Sequence, residues 1–115
     1  MKYCGFLILL IFSTYANASY HFCKGKISTA WTEGDGDVYI VGTWRGAHTQ
    51  ICNVNNVWKG VEPEACKVWV SSVQLAYVAK SDVTVRYSGS AIDSCASAPT
   101  YGATPAPNYV MITKH

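Results

Sequence analysis

The chain has 115 residues, half of them apolar, with nine basic and seven acidic side chains for a formal net charge of +2. That is room for one domain. No cluster of Lys and Arg is present, which excludes a nucleic-acid partner, and beyond the first dozen residues no apolar run is long enough to span a membrane.

Residues 1–18 read as a secretory leader. Lys2 supplies a positive start, GFLILLIF (5–12) is a short apolar run, and Ala16-Asn17-Ala18 is a small-x-small site that predicts cleavage before Ser19. The run falls short of the roughly 20 apolar residues that cross a bilayer. Cys4 precedes it, which argues against a lipid-anchored cysteine. The Asn17-Ala18-Ser19 glycosylation triplet straddles the cleavage point and is discounted. The expected product is a single domain, residues 19–115, secreted or periplasmic. Without Lys2 its eight basic and seven acidic residues leave a net charge of +1.

Four cysteines follow the leader: Cys23, Cys52, Cys66 and Cys95. An even number in an exported domain of this size predicts two disulfides, with three connectivities open. A zinc site would need close pairs such as C-x₂-C, and here the nearest cysteines are 14 residues apart.

GKISTAWTE (25–33) and DVYIVGTW (37–44) are rich in β-branched and aromatic residues, and Gly34-Asp35-Gly36 between them predicts a tight turn, hence a hairpin. RGAHTQ (45–50) interrupts the pattern, and ICNVNNVW (51–58) resumes it as a poorer, edge-like third strand. Next comes EACKVWVSSVQLAYVAKSDVTVRY (64–87). As one strand, 66–79 would exceed the usual length of about 3–10 residues. At helical spacing, Cys66, Trp69, Val70, Val73, Ala76 and Tyr77 form one face. Pro63 suits the first turn, Glu62 and Glu64 suit the positive end, and Lys80 suits the negative end. From Ser81-Asp82 the period becomes two, with Val83, Val85 and Tyr87 alternating against Thr84, Arg86 and Ser88. The segment is a helix followed by a strand. ASAPTYGATPAPN (96–108) holds all but one of the chain's prolines and predicts a long irregular loop, of the kind that is functional or flexible. YVMIT (109–113) is a last short strand.

The order β-β-β-α-β-β, mainly β with one helix, is that of the OB-fold, a five-stranded Greek-key barrel. The alternative is an open α+β sheet with the helix on one face.

ACKVWVSSVQLAYVAKSDVTVRYSG resembles small exported OB-like proteins, including the B subunits of pentameric toxins of the subtilase cytotoxin and pertussis toxin type. In those, a helix of this length ends in a small-residue turn and runs into a V-x-V/I-x-Y/V strand. Cys52, Trp58 and Cys95 also look similar, whereas Cys23 and Cys66 have no counterpart. The resemblance covers residues 38–112 in pattern. It implies an exported binding module that recognises a glycan, assembles into a ring of copies and has no enzyme chemistry of its own. In the OB arrangement the third strand borders the fifth, which predicts the disulfides Cys52–Cys95 and Cys23–Cys66.

No catalytic residues are expected. His48 is the one histidine in a plausible loop, and no nucleophile motif of the G-x-S-x-G kind accompanies it. Glu33, Asp35 and Asp37 cluster in one turn, but a calcium loop needs more oxygen ligands, so no metal or cofactor is expected. Binding is the better prospect. Trp44 and Arg45, with His48 in the same loop, would offer a stacking face beside directed donors, fit for a sugar ring and its hydroxyls or carboxylate. Trp69, on the helical apolar face, is expected in the core, so that Trp69→Ala should cost far more stability than Trp44→Ala. The reading is a secreted, non-catalytic, glycan-binding module. The rival is an exported structural or inhibitory protein that holds a protein partner through loops 45–50 and 96–108.

Overall fold

One residue, Lys26, divides the first β run in two. The computed structural model describes residues 19–114, so the expected leader lies outside it. Its elements are β1 (His21–Gly25), β2 (Ile27–Thr32), β3 (Asp37–Gly42), β4 (Thr49–Asn53), α1 (Pro63–Ala79), β5 (Asp82–Tyr87), a single 3₁₀ turn (Cys95–Ser97) and β6 (Tyr109–Thr113). β1 pairs with β5, and β2 pairs with β3. The corner between β1 and β2 is pinned from the far end of the hairpin. Thr43 N donates to Lys26 O at 3.0 Å, and Lys26 N donates to Thr43 Oγ1 at 3.2 Å. A Cβ on Gly25 would stand 2.1 Å from that Thr43 oxygen, so the chain turns where a side chain cannot fit.

Two antiparallel three-stranded sheets result, in the orders β1-β5-β6 and β2-β3-β4. The expected strand at 25–33 is β2, and β1, which precedes it, was not expected, so the count is six instead of five. The expected closed barrel is not what forms. Among the described residues β4 and β6 share no ladder, and one parallel bridge, Thr49 to Tyr101, joins β4 to the loop before β6. The reason lies in that loop. Pro99, Pro105 and Pro107 have no N–H to give to a ladder, and Tyr101 takes a left-handed backbone, φ +54°.

The hairpin forms as its turn chemistry predicts. Gly36 N donates to Glu33 O at 2.9 Å, Glu33 N donates to Asp37 O at 2.7 Å, and Gly36 sits at φ +101°. β4 is an edge strand, yet all five of its residues are buried, because α1 and the 96–108 loop cover it.

The helix begins at Pro63 behind an extended Glu62, carries Glu64 in its first turn and ends on Lys80 at φ +56°, with Ser81 N donating to Ala76 O at 3.0 Å. Its buried side is narrower than the spacing predicts. Cys66, Val73 and Ala76 are buried, Trp69 and Val70 are half-buried against the core, and Tyr77 is exposed. Trp44 is likewise half-buried against the core, which removes the ground for a large contrast between Trp69 and Trp44. The core itself lies between the sheets and the helix, around Val38, Ile40, Ile51, Val73, Val83 and Val85.

The disulfides are Cys23–Cys95 and Cys52–Cys66, with Cα separations of 5.5 and 5.4 Å. The expected pairing, Cys52–Cys95 with Cys23–Cys66, is wrong. A tight turn, in which Trp58 and Val61 exchange backbone hydrogen bonds, returns the chain so that the first turn of α1 meets the β4 it has just left. The 3₁₀ turn carrying Cys95 packs on β1 instead, which places it at Cys23. Two disulfides fit an oxidising compartment. No helix among the described residues is long and apolar enough to cross a membrane.

Candidate functional site

The β2–β3 register sets Trp31 directly opposite Tyr39 on the outer face of their sheet. Cross-strand aromatic neighbours of this kind stack, and here the ring centroids are 5.2 Å apart with an interplanar angle of 22°. His48, in the segment before β4, meets Trp31 edge-on at 4.8 Å. Tyr101 arrives from the 96–108 loop and packs against Tyr39 at 5.9 Å and His48 at 5.4 Å. The Tyr101 hydroxyl and His48 Nδ1 share a hydrogen bond of 3.2 Å. Four rings thus form one platform: Tyr39 is its floor at 9% exposure, and Tyr101 stands open at 54%.

Tyr101 is held at a cost. A left-handed backbone costs a non-glycine residue on the order of 1 kcal/mol, and such strain gathers at functional positions. Two hydrogen bonds hold it there, from Tyr101 N to His48 O at 2.7 Å and from Gln50 N to Tyr101 O at 3.2 Å.

The acidic residues of the hairpin form the rim. Asp37 Oδ1 accepts from Gln50 Nε2 at 2.7 Å and from Asn53 Nδ2 at 2.8 Å, Asp35 Oδ1 accepts from Asp37 N at 3.1 Å, and Glu33 Oε2 accepts from Trp31 Nε1 at 3.1 Å. Burial raises the pKa of the Tyr39 phenol above its ordinary value, and the negative charges of Asp37, Glu33 and Asp35 add to the effect. The phenol therefore stays protonated, a donor at neutral pH. No group of three His, Cys, Asp or Glu among the described residues is arranged to hold a metal.

Of the three residues singled out from sequence, the platform includes His48. Trp44 folds back over the chain, and a Cβ on Gly42 would lie 2.3 Å from its ring. Arg45 Nε donates to Ala98 O at 2.8 Å, which ties the 45–50 segment to the 96–108 loop. Those two loops, far apart in sequence, form one surface. Trp31 and Tyr39 were legible in principle, since the Gly34–Gly36 turn sets them opposite each other. Tyr101 carries no local signal that it meets a histidine 53 positions earlier.

Elsewhere, a groove of about 570 Å³ runs between β2 and α1, lined by Ser28, Thr29, Ala30, Gln74, Tyr77 and Val78. It carries no charged side chain to orient a ligand. No family model, curated protein or solved structure matches the chain.

Proposed function

We propose that this chain is an exported, non-catalytic binding module that lays a glycan on the Trp31–Tyr39–His48–Tyr101 platform. The observation that carries the reading is Tyr101, an exposed ring held in a strained backbone against His48 and Tyr39. Exposed aromatic faces take sugar rings by apolar stacking, and the polar rim offers partners for hydroxyls. A non-catalytic role is supported by the contacts of His48, which are aromatic rings rather than a serine or a thiol. All four described cysteines are bound in disulfides.

We read the two sheets and the helix as an OB-like architecture opened on one side, which would suit the same function. β1 and β2 act as one strand bent at Lys26 and shared by both sheets, the helix lies between β4 and β5, and the Thr49–Tyr101 bridge marks where a barrel would close. In OB-folds the face built by the second and third strands is a common ligand surface, and the β3–β4 sheet corresponds to it. Assembly of several copies, implied by the resemblance to toxin B subunits, would multiply a weak single-site affinity. Secretion or periplasmic export is the matching location.

The test is a glycan array probed with wild type and Tyr101→Ala. The expected result is a defined set of glycans bound by wild type and lost in the variant. An array without hits ends the glycan reading. The second reading, a protein partner held by loops 45–50 and 96–108, then takes its place. It draws on the Arg45–Ala98 and His48–Tyr101 contacts that fuse those loops.

A further inference from the structure

The outer face of the β1-β5-β6 sheet carries a cation without an anion. Phe22, Arg86 and Tyr109 stand in one cross-strand row. The Arg86 guanidinium packs on two rings, 4.3 Å from the centroid of Tyr20 and 4.7 Å from that of Tyr109. Its Nε is buried and has no hydrogen-bond partner. Among the described residues no carboxylate lies within ion-pair distance of Arg86; the nearby Lys24 and Lys26 both turn to Asp82. Around the clamp Tyr20 is 45% and Phe22 57% exposed, Tyr20 tilts toward Phe22 at 6.5 Å, and Asn108 Nδ2 and the Ser88 hydroxyl lie next in line, 3.4 Å apart.

This arrangement restricts what can bind. Packed on two tyrosine rings, the guanidinium has its in-plane donors to offer a ligand, the geometry that matches two coplanar oxygens of a carboxylate. The residue as a whole is half-buried, but its Nε is shut away from water, and a buried donor is costly to leave unsatisfied. The exposed faces of Phe22 and Tyr20 beside it suit an apolar ring face, and Asn108 and Ser88 suit hydroxyls. We propose that Arg86, clamped by Tyr20 and Tyr109, is a second binding site, specific for the carboxylate of an acidic sugar. It is separate from the Trp31 platform, which lies on the other sheet, and it does not depend on the glycan reading of that platform.

The experiment is an NMR titration of the assigned protein with sodium glucuronate, glucose and sodium acetate in parallel. Glucuronate is expected to give saturable shifts at Phe22, Arg86 and Tyr109. Glucose lacks the charge and acetate lacks the ring, and each should bind more weakly by roughly tenfold or more. Arg86→Lys keeps the charge but loses the planar fork, and should weaken glucuronate by a similar factor. If that variant fails to fold, Phe22→Ala serves instead: it should weaken glucuronate several-fold and leave acetate unchanged. Acetate or glucose binding as well as glucuronate would overturn the proposal, as would Arg86→Lys binding like wild type. Shifts confined to Trp31, His48 and Tyr101 would also overturn it, while leaving the platform reading intact.

Discussion

The two sheets treat their outer aromatic residues in opposite ways. On β2-β3-β4 the chain supplies its own cover. Tyr101 closes over Tyr39, His48 meets both Trp31 and Tyr101, and the amides of Gln50 and Asn53 bind Asp37. On β1-β5-β6 Tyr20 and Phe22 remain exposed, and Arg86 packs on two rings with no counter-charge among the described residues. The difference comes from where the 96–108 loop is tethered. Cys95 fixes its start at β1, and Arg45, His48 and Gln50 draw it across to β4. One loop therefore covers the rings of one face and leaves Tyr20 and Phe22 on the other open.

The largest expected effect comes from cutting that tether. Replacing Cys23 and Cys95 with serine should cost roughly 2–5 kcal/mol, more than the same change at Cys52 and Cys66 by about 1 kcal/mol. The reason is that the first bridge closes a loop of 72 residues and the second one of 14. Urea denaturation midpoints of the two double variants test the order. If the loop tether governs the platform, only the Cys23/Cys95 variant should also disturb the Trp31 indole environment in the folded state.

At the corner where the sheets meet, Gly42→Ala should cost about 1–3 kcal/mol, because its Cβ would enter the Trp44 ring. Gly34→Ala, with nothing within 4 Å of the added carbon, should stay within about 0.5 kcal/mol. Thermal midpoints distinguish the two. Comparable losses would mean that Trp44 is not seated on Gly42.

A smaller effect compares the sheets by titration. Tyr39, on β3, and Tyr87, on β5, both have raised pKa values, each chiefly through burial. For Tyr87 the hydroxyls of Thr104 and Thr49 pull the other way. A folded-state pKa above the unfolded value gives stability that is complete below the unfolded pKa, near 10 for tyrosine. It is lost as pH rises toward and through the folded value, since the unfolded chain ionises first. Stability should therefore decline above about pH 10, and Tyr39→Phe and Tyr87→Phe should each flatten that decline. Urea midpoints measured across this range in wild type and both variants provide the check, and identical slopes in all three would contradict the cause given. The smallest change belongs to Tyr101→Phe, which deletes the hydroxyl shared with His48. It should shift stability by about 1 kcal/mol or less while weakening any ligand that uses the platform.

The local structure was readable wherever neighbouring residues decide it. The Gly34-Asp35-Gly36 turn, the start of the helix at Pro63 and the change of period at Ser81 each follow from adjacent side chains. Contacts between distant residues were not readable. The bend at Lys26 depends on Thr43, the disulfide pairing depends on which way the chain leaves β4 and β5, and the Tyr101–His48 contact joins residues on either side of β4, α1 and β5. Trp44 and Arg45 drew attention because they flank a strand end. Their local setting gave no hint that the ring packs over Gly42 or that the guanidinium reaches the Ala98 carbonyl.

The platform can be tested through its tryptophans. The chain has four, Trp31, Trp44, Trp58 and Trp69, and their indole N–H resonances report on separate places. With the strongest glycan from the array added, the Trp31 resonance should shift and saturate while that of Trp44 stays still. A shift at Trp44 with none at Trp31 would contradict the account.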